Sequence, residues 1–204
     1  MIPDRDRRRL LASAVAGLGV ACAVPLRAWA DLAGRPSYAL RASEGKPREL
    51  WITRPEAQES ARAVYWDAGQ LQIEGYRAIN RIYRDLYAGV ERPIALGLLN
   101  LNCAMQRAIA QNGSARPMVL LSGFRTRETN RRVGGVEPST HFAGEADDYI
   151  YSGLSFHDNL RLARLFHVGG LGVYPDRGSL HKDLGPWRFW VEYGRPGQAR
   201  AGAG

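Results

Sequence analysis

"PSTHFAGEADDYIY", residues 138–151, sets one histidine, one glycine and two adjacent aspartates at the mouth of an apolar run. From Glu145 onward the residues alternate and are rich in aromatic and β-branched side chains, so 145–151 reads as a strand. Alternation separates the two acids. Ala146 and Asp148 share one face, and Asp147 points to the other, where it is expected to be solvated. Gly144 permits a tight turn just before the strand, so His141 can fold back toward Asp148.

A second stretch answers the first. In "GSLHKDLG", residues 178–185, alternation puts His181 and Asp183 on one face and Lys182 on the other. Two strands then offer polar side chains to one place: Asp148 from the first, His181 and Asp183 from the second. Two imidazole nitrogens and a carboxylate oxygen, with a fourth position left to water, make a catalytic zinc set. The alternative at this point is that the three residues serve separate structural roles. His157 and His167 are ten residues apart on a predicted helix, about 15 Å at 1.5 Å per residue, and cannot share a metal. They read as a polar surface residue and a helix C-terminal residue.

Working outward, "RELWITRP" and "ARAVYWD" are two β-rich runs around a polar "EAQES", which predicts a hairpin. "QLQIEGYRAINRIYRDLYAG" places Tyr76, Ile79, Ile82, Tyr83 and Leu86 on one helical face, with Gly89 as a stop. "RPIALGLLNLNCAMQRAIAQNG" predicts a second helix with Pro93 in its first turn and Asn112-Gly113 at its end. "RPMVLLSGFR" is a strand ending at Ser122-Gly123, "SFHDNLRLARLFHV" a third helix, and "GGLGVYP" a strand. "PWRFWVEYG" closes the series. Helices first and mostly strands afterwards give an α+β domain with an antiparallel sheet flanked by helices, spanning 47–193.

The ends read differently. "DRDRRRLLASAVAGLGVACAVPLRAWAD" has a basic start, an apolar run and a small-x-small site at Ala28–Ala30, the anatomy of a secretory signal over 1–30. Paired arginines before Leu10-Leu11 suggest the twin-arginine route. Pro25 and Arg27 keep the apolar run short of the roughly 20 residues that a membrane span needs, so no transmembrane span is expected in the mature chain. Lipidation at Cys22 is the alternative that would tether it. Residues 31–46 look like a flexible lead-in, and 194–204 like a disordered tail. The destination is the periplasm.

Charge and cysteines narrow the function. The chain of 204 residues carries a formal +8. Five arginines and two aspartates of that balance fall in the signal, which leaves +5, scattered and not gathered into a stripe. Nucleic acid is therefore not an expected partner. After the signal only Cys103 remains, so neither an internal disulfide nor a cysteine-type zinc site is available. Cys103 lies at helical spacing among apolar residues and reads as a small core side chain. Nothing calls for a second chain, and a monomer is expected.

These motifs resemble a known family. "STHFAGEADD" fits the S-x-H-x-x-G-x-A-x-D pattern of the zinc D-alanyl-D-alanine peptidases, whose fold is shared with the hedgehog signalling domain. "SGFRTRETN" is similar to their S-G-[FY]-R-[ST] segment. "GGLGVYPDRGSLHKDLGPWRFW" looks like the ending of the periplasmic murein endopeptidase branch. The resemblance implies that His141, Asp148 and His181 bind Zn2+, that Ser139 and Gly144 shape the ligand loop, and that Arg125 contacts the substrate carbonyl or carboxylate. Many relatives carry a general-base Glu three residues before the last histidine. That position here is Gly178, which leaves Asp183 as the expected base and Asp176 as the alternative. Lys182 departs from the family's apolar residue and is expected to face solvent. The implied activity is hydrolysis of peptidoglycan stem-peptide cross-links at D-residue bonds. A D,D- or L,D-carboxypeptidase, or a non-catalytic zinc- or wall-binding protein of the same fold, are the alternatives.

Overall fold

The computed structural model describes residues 45–194. The expected signal over 1–30, Cys22, almost all of the expected lead-in and nearly the whole of the expected tail lie outside the described residues. Within them the chain is α+β as expected. Strands β1 (Arg48–Arg54), β2 (Glu59–Asp67), β3 (Gln70–Leu71), β4 (Met118–Ser122), β5 (Ala146–Tyr151), β6 (Gly170–Tyr174), β7 (Ser179–Asp183) and β8 (Arg188–Val191) form one sheet in the order β3-β2-β1-β4-β5-β7-β6-β8. The sheet is mixed, which corrects the antiparallel expectation: β1 runs parallel to β4, and β6 parallel to β8. The first pair joins strands far apart in the chain and the second skips over β7, both through crossovers that local turn signals do not encode.

The helices are α1 (Ile73–Tyr83), α2 (Leu96–Gln111), α3 (Arg127–Arg132) and α4 (Phe156–Leu165). The first is shorter than its amphipathic stretch. Gln70 and Leu71 pair with β2 instead. Past Tyr83, Arg54 at the end of β1 donates to Ile82 O at 2.7 Å and Arg84 O at 2.5 Å, so it satisfies carbonyls that a helix end leaves free. The second helix starts three residues beyond Pro93. Ile94 N–H donates to Asn80 Oδ1 (3.1 Å), and Ala95 N–H to Gly144 O (3.0 Å), bonds that hold this lead-in out of the helix. Ser155 caps α4 and Thr126 caps α3, a six-residue helix that the sequence reading passes over.

One face of the sheet makes the core. Leu50 and Ile52 of β1, Met118 and Leu120 of β4, Tyr149 and Tyr151 of β5, and Leu180 of β7 are buried with residues of α1, α2 and α4. Cys103 sits among them on α2, as expected, while His157 and His167 are exposed. Two expectations fail here. Asp147 and Lys182 are fully buried rather than solvated, because both lie on this helix-covered face, paired in register across β5 and β7. Lys182 Nζ reaches Asp147 Oδ1 at 2.5 Å and stands 3.1 Å above the centre of the Tyr149 ring. Asp147 Oδ2 accepts from Tyr83 Oη (2.9 Å) and Asn102 Nδ2 (2.8 Å). Burial by itself lowers the Lys182 ammonium, Asp147 pulls it back, and the result is a fall to about 8. Among the described residues no helix is long and apolar enough to cross a membrane.

Candidate functional site

The opposite face of β5 and β7 carries the polar set. Asp148 and His181 are direct partners in the antiparallel register, so their side chains emerge together. The third member comes from the loop before β5. There Ser139 caps a 3-10 turn over Thr140–Ala143 by accepting from His141 N–H at 3.3 Å. Gly144 ends the turn in the left-handed region at φ 70°, and a Cβ there would lie 2.9 Å from Pro93 O. Conformation and space thus both require glycine. Turn and cap together swing His141 back over the strand.

His141, Asp148 and His181 converge with one ligand atom each within 4.8 Å of the others. His141 Nε2 is 3.3 Å from His181 Nδ1 and 3.5 Å from Asp148 Oδ1, and His181 Nδ1 is 3.0 Å from Asp148 Oδ1. Ligands about 2.0–2.1 Å from a tetrahedral zinc stand roughly 3.3 Å apart, so the donor set and its spacing both fit that ion. The outer nitrogen of each ring is already engaged. His141 Nδ1 donates to Gly123 O at 2.6 Å, and His181 Nε2 to Asp183 Oδ2 at 2.9 Å. Those bonds turn the inner nitrogen of each ring to the common point, where a metal would displace any proton that nitrogen carries.

Gly123 earns its place in "SGFR" by close approach. A bulge in β4 between Leu120 and Ser122 re-aims the chain, and a Cβ on Gly123 would fall 2.6 Å from Tyr83 O. Two residues on, Arg125 pairs with Asp148 Oδ2 and donates from Nε to Ser122 Oγ at 2.7 Å. Burial by itself raises the Asp148 carboxyl, but His141, His181 and Arg125 outweigh it and hold it well below the usual range. For His181, burial lowers the imidazole while Asp148 and Asp183 carry it up to about 8.

Asp183 stands elsewhere than a general base needs to be. It has no exposure, and both of its oxygens are filled. Oδ1 accepts from Gly170 N–H and Gly185 N–H, each at 2.8 Å, and Oδ2 from His181 and from Thr140 Oγ1 at 3.2 Å. Arg188 adds two more contacts, one to each oxygen. Burial opposes ionisation, yet these donors keep the carboxyl well below its ordinary value, where it is a weak proton acceptor. Alternation does put Asp183 on the same face as His181, but on the far side of the ring. Asp176 follows β6 in an exposed 3-10 turn, where its Oδ2 accepts from Gly194 N–H at 2.6 Å.

The triad opens into a cleft of about 1090 Å³, whose lining includes Arg125, Tyr174, Asp176, Arg188 and Trp190. Trp190 lies over His181, ring centres 5.3 Å apart. The sequence reading assigns no role to Ser122, Arg188 or Trp190, although the last two stand in the quoted closing motif.

Comparison with known proteins bears on this site. A family model described as peptidoglycan L,D-endopeptidase MepK matches residues 42–190. The chain is 30% identical to the peptidoglycan L,D-endopeptidase MepK of Escherichia coli (strain K12) over 192 residues, which cover 92% of this chain and 98% of that relative. The protein of the same name from Shigella flexneri matches equally. A shorter match, 33% over 76 residues, covers 35% of this chain and 41% of the probable peptidoglycan L,D-endopeptidase MepK of Haemophilus influenzae.

Proposed function

We propose, from the premise that this chain belongs to the peptidoglycan L,D-endopeptidase MepK family, that it is an exported zinc peptidase cutting L,D-bonds in the stem-peptide cross-links of peptidoglycan. The observation that carries the reading is the convergence of His141, Asp148 and His181 at the floor of an open cleft, with Arg125 beside them. A cleft of this kind admits an extended peptide, and an exported enzyme meets a wall polymer where it works.

Zinc held by His141, Asp148 and His181 would supply Lewis acidity toward a water and a peptide carbonyl. The chain's own residues do the rest. Gly123 O and Asp183 fix the two imidazoles so that neither has to reorient when the metal binds. Arg125, pinned by Ser122 and Asp148, presents its guanidinium to the cleft, where negative charge grows on the attacked carbonyl oxygen. Asp183 takes the role of holding His181 in place. Glu56, Asp176 and Glu192 are the solvent-facing carboxylates on the same cleft, and of these Asp176 is the one we assign to proton exchange.

Arg125→Ala is expected to lower kcat on purified peptidoglycan by about 10²–10³-fold, the usual effect of losing one oxyanion donor. The assay is run at a zinc concentration that keeps the site filled, since the loss of an Asp148 partner also weakens metal binding. Muropeptide release followed by chromatography, beside metal content, measures both. An unchanged kcat would remove Arg125 from the mechanism. Soluble products showing cleaved cross-links support the endopeptidase. Loss of terminal residues alone would move the reading to a carboxypeptidase, and zinc without any product to a binding protein.

The export route has its own test. Changing Arg7 and Arg8 together to lysine should keep the protein in the cytoplasm, seen by cell fractionation, if the twin-arginine pathway carries it. Normal export would assign it to the general secretory route. A protein that fractionates with membranes through Cys22 would instead be lipidated.

A further inference from the structure

The closing motif "GPWRFW" leaves two side chains without a task, and both touch the metal centre from its outer side. Strand β8 lies at the sheet edge, paired with β6 in parallel register, so Arg188 stands beside Gly170 and Trp190 beside Gly172. The Arg188 side chain is 44% exposed, yet its guanidinium turns inward. Nη2 reaches Asp183 Oδ2 at 2.5 Å, and Nη1 reaches Asp183 Oδ1 and Pro186 O, each at 3.3 Å. An exposed arginine ordinarily gains little from an ion pair. Here the partner is a fully buried carboxylate gripped at both oxygens, which fixes its plane.

That plane matters because Asp183 Oδ2 is the acceptor for His181 Nε2. Rotation of the carboxylate would release the imidazole, whose Nδ1 is the atom facing His141 and Asp148. Trp190 closes the other side. Its ring lies against that of His181, tilted by 48°, with the Arg188 guanidinium 5.5 Å from its centre. Glycines make the room. A Cβ on Gly170 would lie 2.5 Å from Asp183 Oδ2 and 2.8 Å from Arg188 Cζ, and one on Gly172 would lie 2.5 Å from the Trp190 ring. The small residues of "GGLG" thus give Asp183, Arg188 and Trp190 their places.

We propose that Arg188 is a positioning residue of the metal centre: through Asp183 it locks His181 with Nδ1 toward the ion, while Trp190 stops the ring from tilting away. The inference rests on the metal-centre reading above and adds a residue that need not touch the ion or the substrate.

The test uses the full chain with Arg188→Ala and Arg188→Lys, each checked for a cooperative urea transition. Zinc affinity is measured by competition with a chromophoric chelator, and ligand geometry by the visible absorption of the cobalt-loaded protein. Loss of an outer partner of a ligating histidine usually costs 10–100-fold in metal affinity. Arg188 stands one hydrogen bond further out than Asp183, so Arg188→Ala is expected to bind zinc more weakly by up to about 10-fold, the low end of that range, with altered cobalt bands. Arg188→Lys, which keeps the charge but not the fork, should fall between it and the parent. Parental affinity and parental cobalt bands in Arg188→Ala would overturn the inference while leaving the metal centre standing. Should the alanine variant fail to fold, the same parental result in Arg188→Lys overturns it. A parent chain that binds no zinc would overturn the centre itself, and the inference with it.

Discussion

His141→Ala should leave the chain folded, strip it of zinc and reduce muropeptide release to background. The reason is geometric. His141 is the one member of the triad supplied from outside the sheet, on a short turn set by Ser139 and Gly144. Without it Asp148 and His181 remain as neighbours on adjacent strands, a two-ligand set that holds zinc poorly. The alanine removes a side chain at the cleft and not one of the core cluster, so the unfolding midpoint should stay near that of the chelator-treated parent, bound metal itself adding to the stability of the loaded one. Metal content by elemental analysis, urea unfolding and product chromatography together check the expectation. Chelator treatment of the parent should reproduce the loss, and added zinc should reverse it there but not in the variant. Retained turnover in His141→Ala would sink the proposed centre.

The second large effect lies on the other side of the same strands. Lys182→Met should destabilise the fold by about 3–5 kcal/mol, the range for removing one partner of a buried ion pair. Domains of this size have only about 5–15 kcal/mol to lose. Lys182 and Asp147 are both without exposure, so Asp147 would keep its charge among Tyr83, Asn102 and apolar neighbours with no counter-ion. Adding Asp147→Asn should recover part of the loss, because the amide keeps an acceptor for Tyr83 Oη and Asn102 Nδ2 while the unpaired charge disappears. Urea unfolding of parent, single and double variants measures this. A midpoint unmoved by Lys182→Met would mean that the pair contributes nothing. Since Asp147 and Lys182 flank Asp148 and His181 in the two strands, their pairing also holds the register from which the triad is built.

This pair shows where local reading stops. Period-two alternation correctly separates Asp147 from Asp148 and Lys182 from His181. It says which residues share a face, and nothing about what covers that face. Charged residues on a strand are most often solvated, so both were expected at the surface. The face is buried because α1 and α2 bring Tyr83 and Asn102 onto it, residues 64 and 45 positions away from Asp147. Asp183 is a similar case. Alternation and spacing place it beside His181, but the amides of Gly170 and Gly185 and the fork of Arg188 hold it on the far side of that ring from His141 and Asp148.

By itself the sequence determined the α+β class, most strands to within a residue or two, the buried place of Cys103, and the three residues that converge at one point of the cleft. Those features depend on alternation, helical period, turn-forming glycine and the chemistry of two histidines and an acid, all of which act over a few neighbouring positions. Tertiary structure alone decided that the sheet is mixed, that α2 begins after Ile94 and Ala95 are pinned, that Asp147 and Lys182 meet in the core, and that Asp183 is filled at both oxygens. The first three are set by partners outside the element concerned, and Asp183 by Gly170 and Thr140 together with its near neighbours Gly185 and Arg188; contacts of that kind exist only once the strands have been brought side by side.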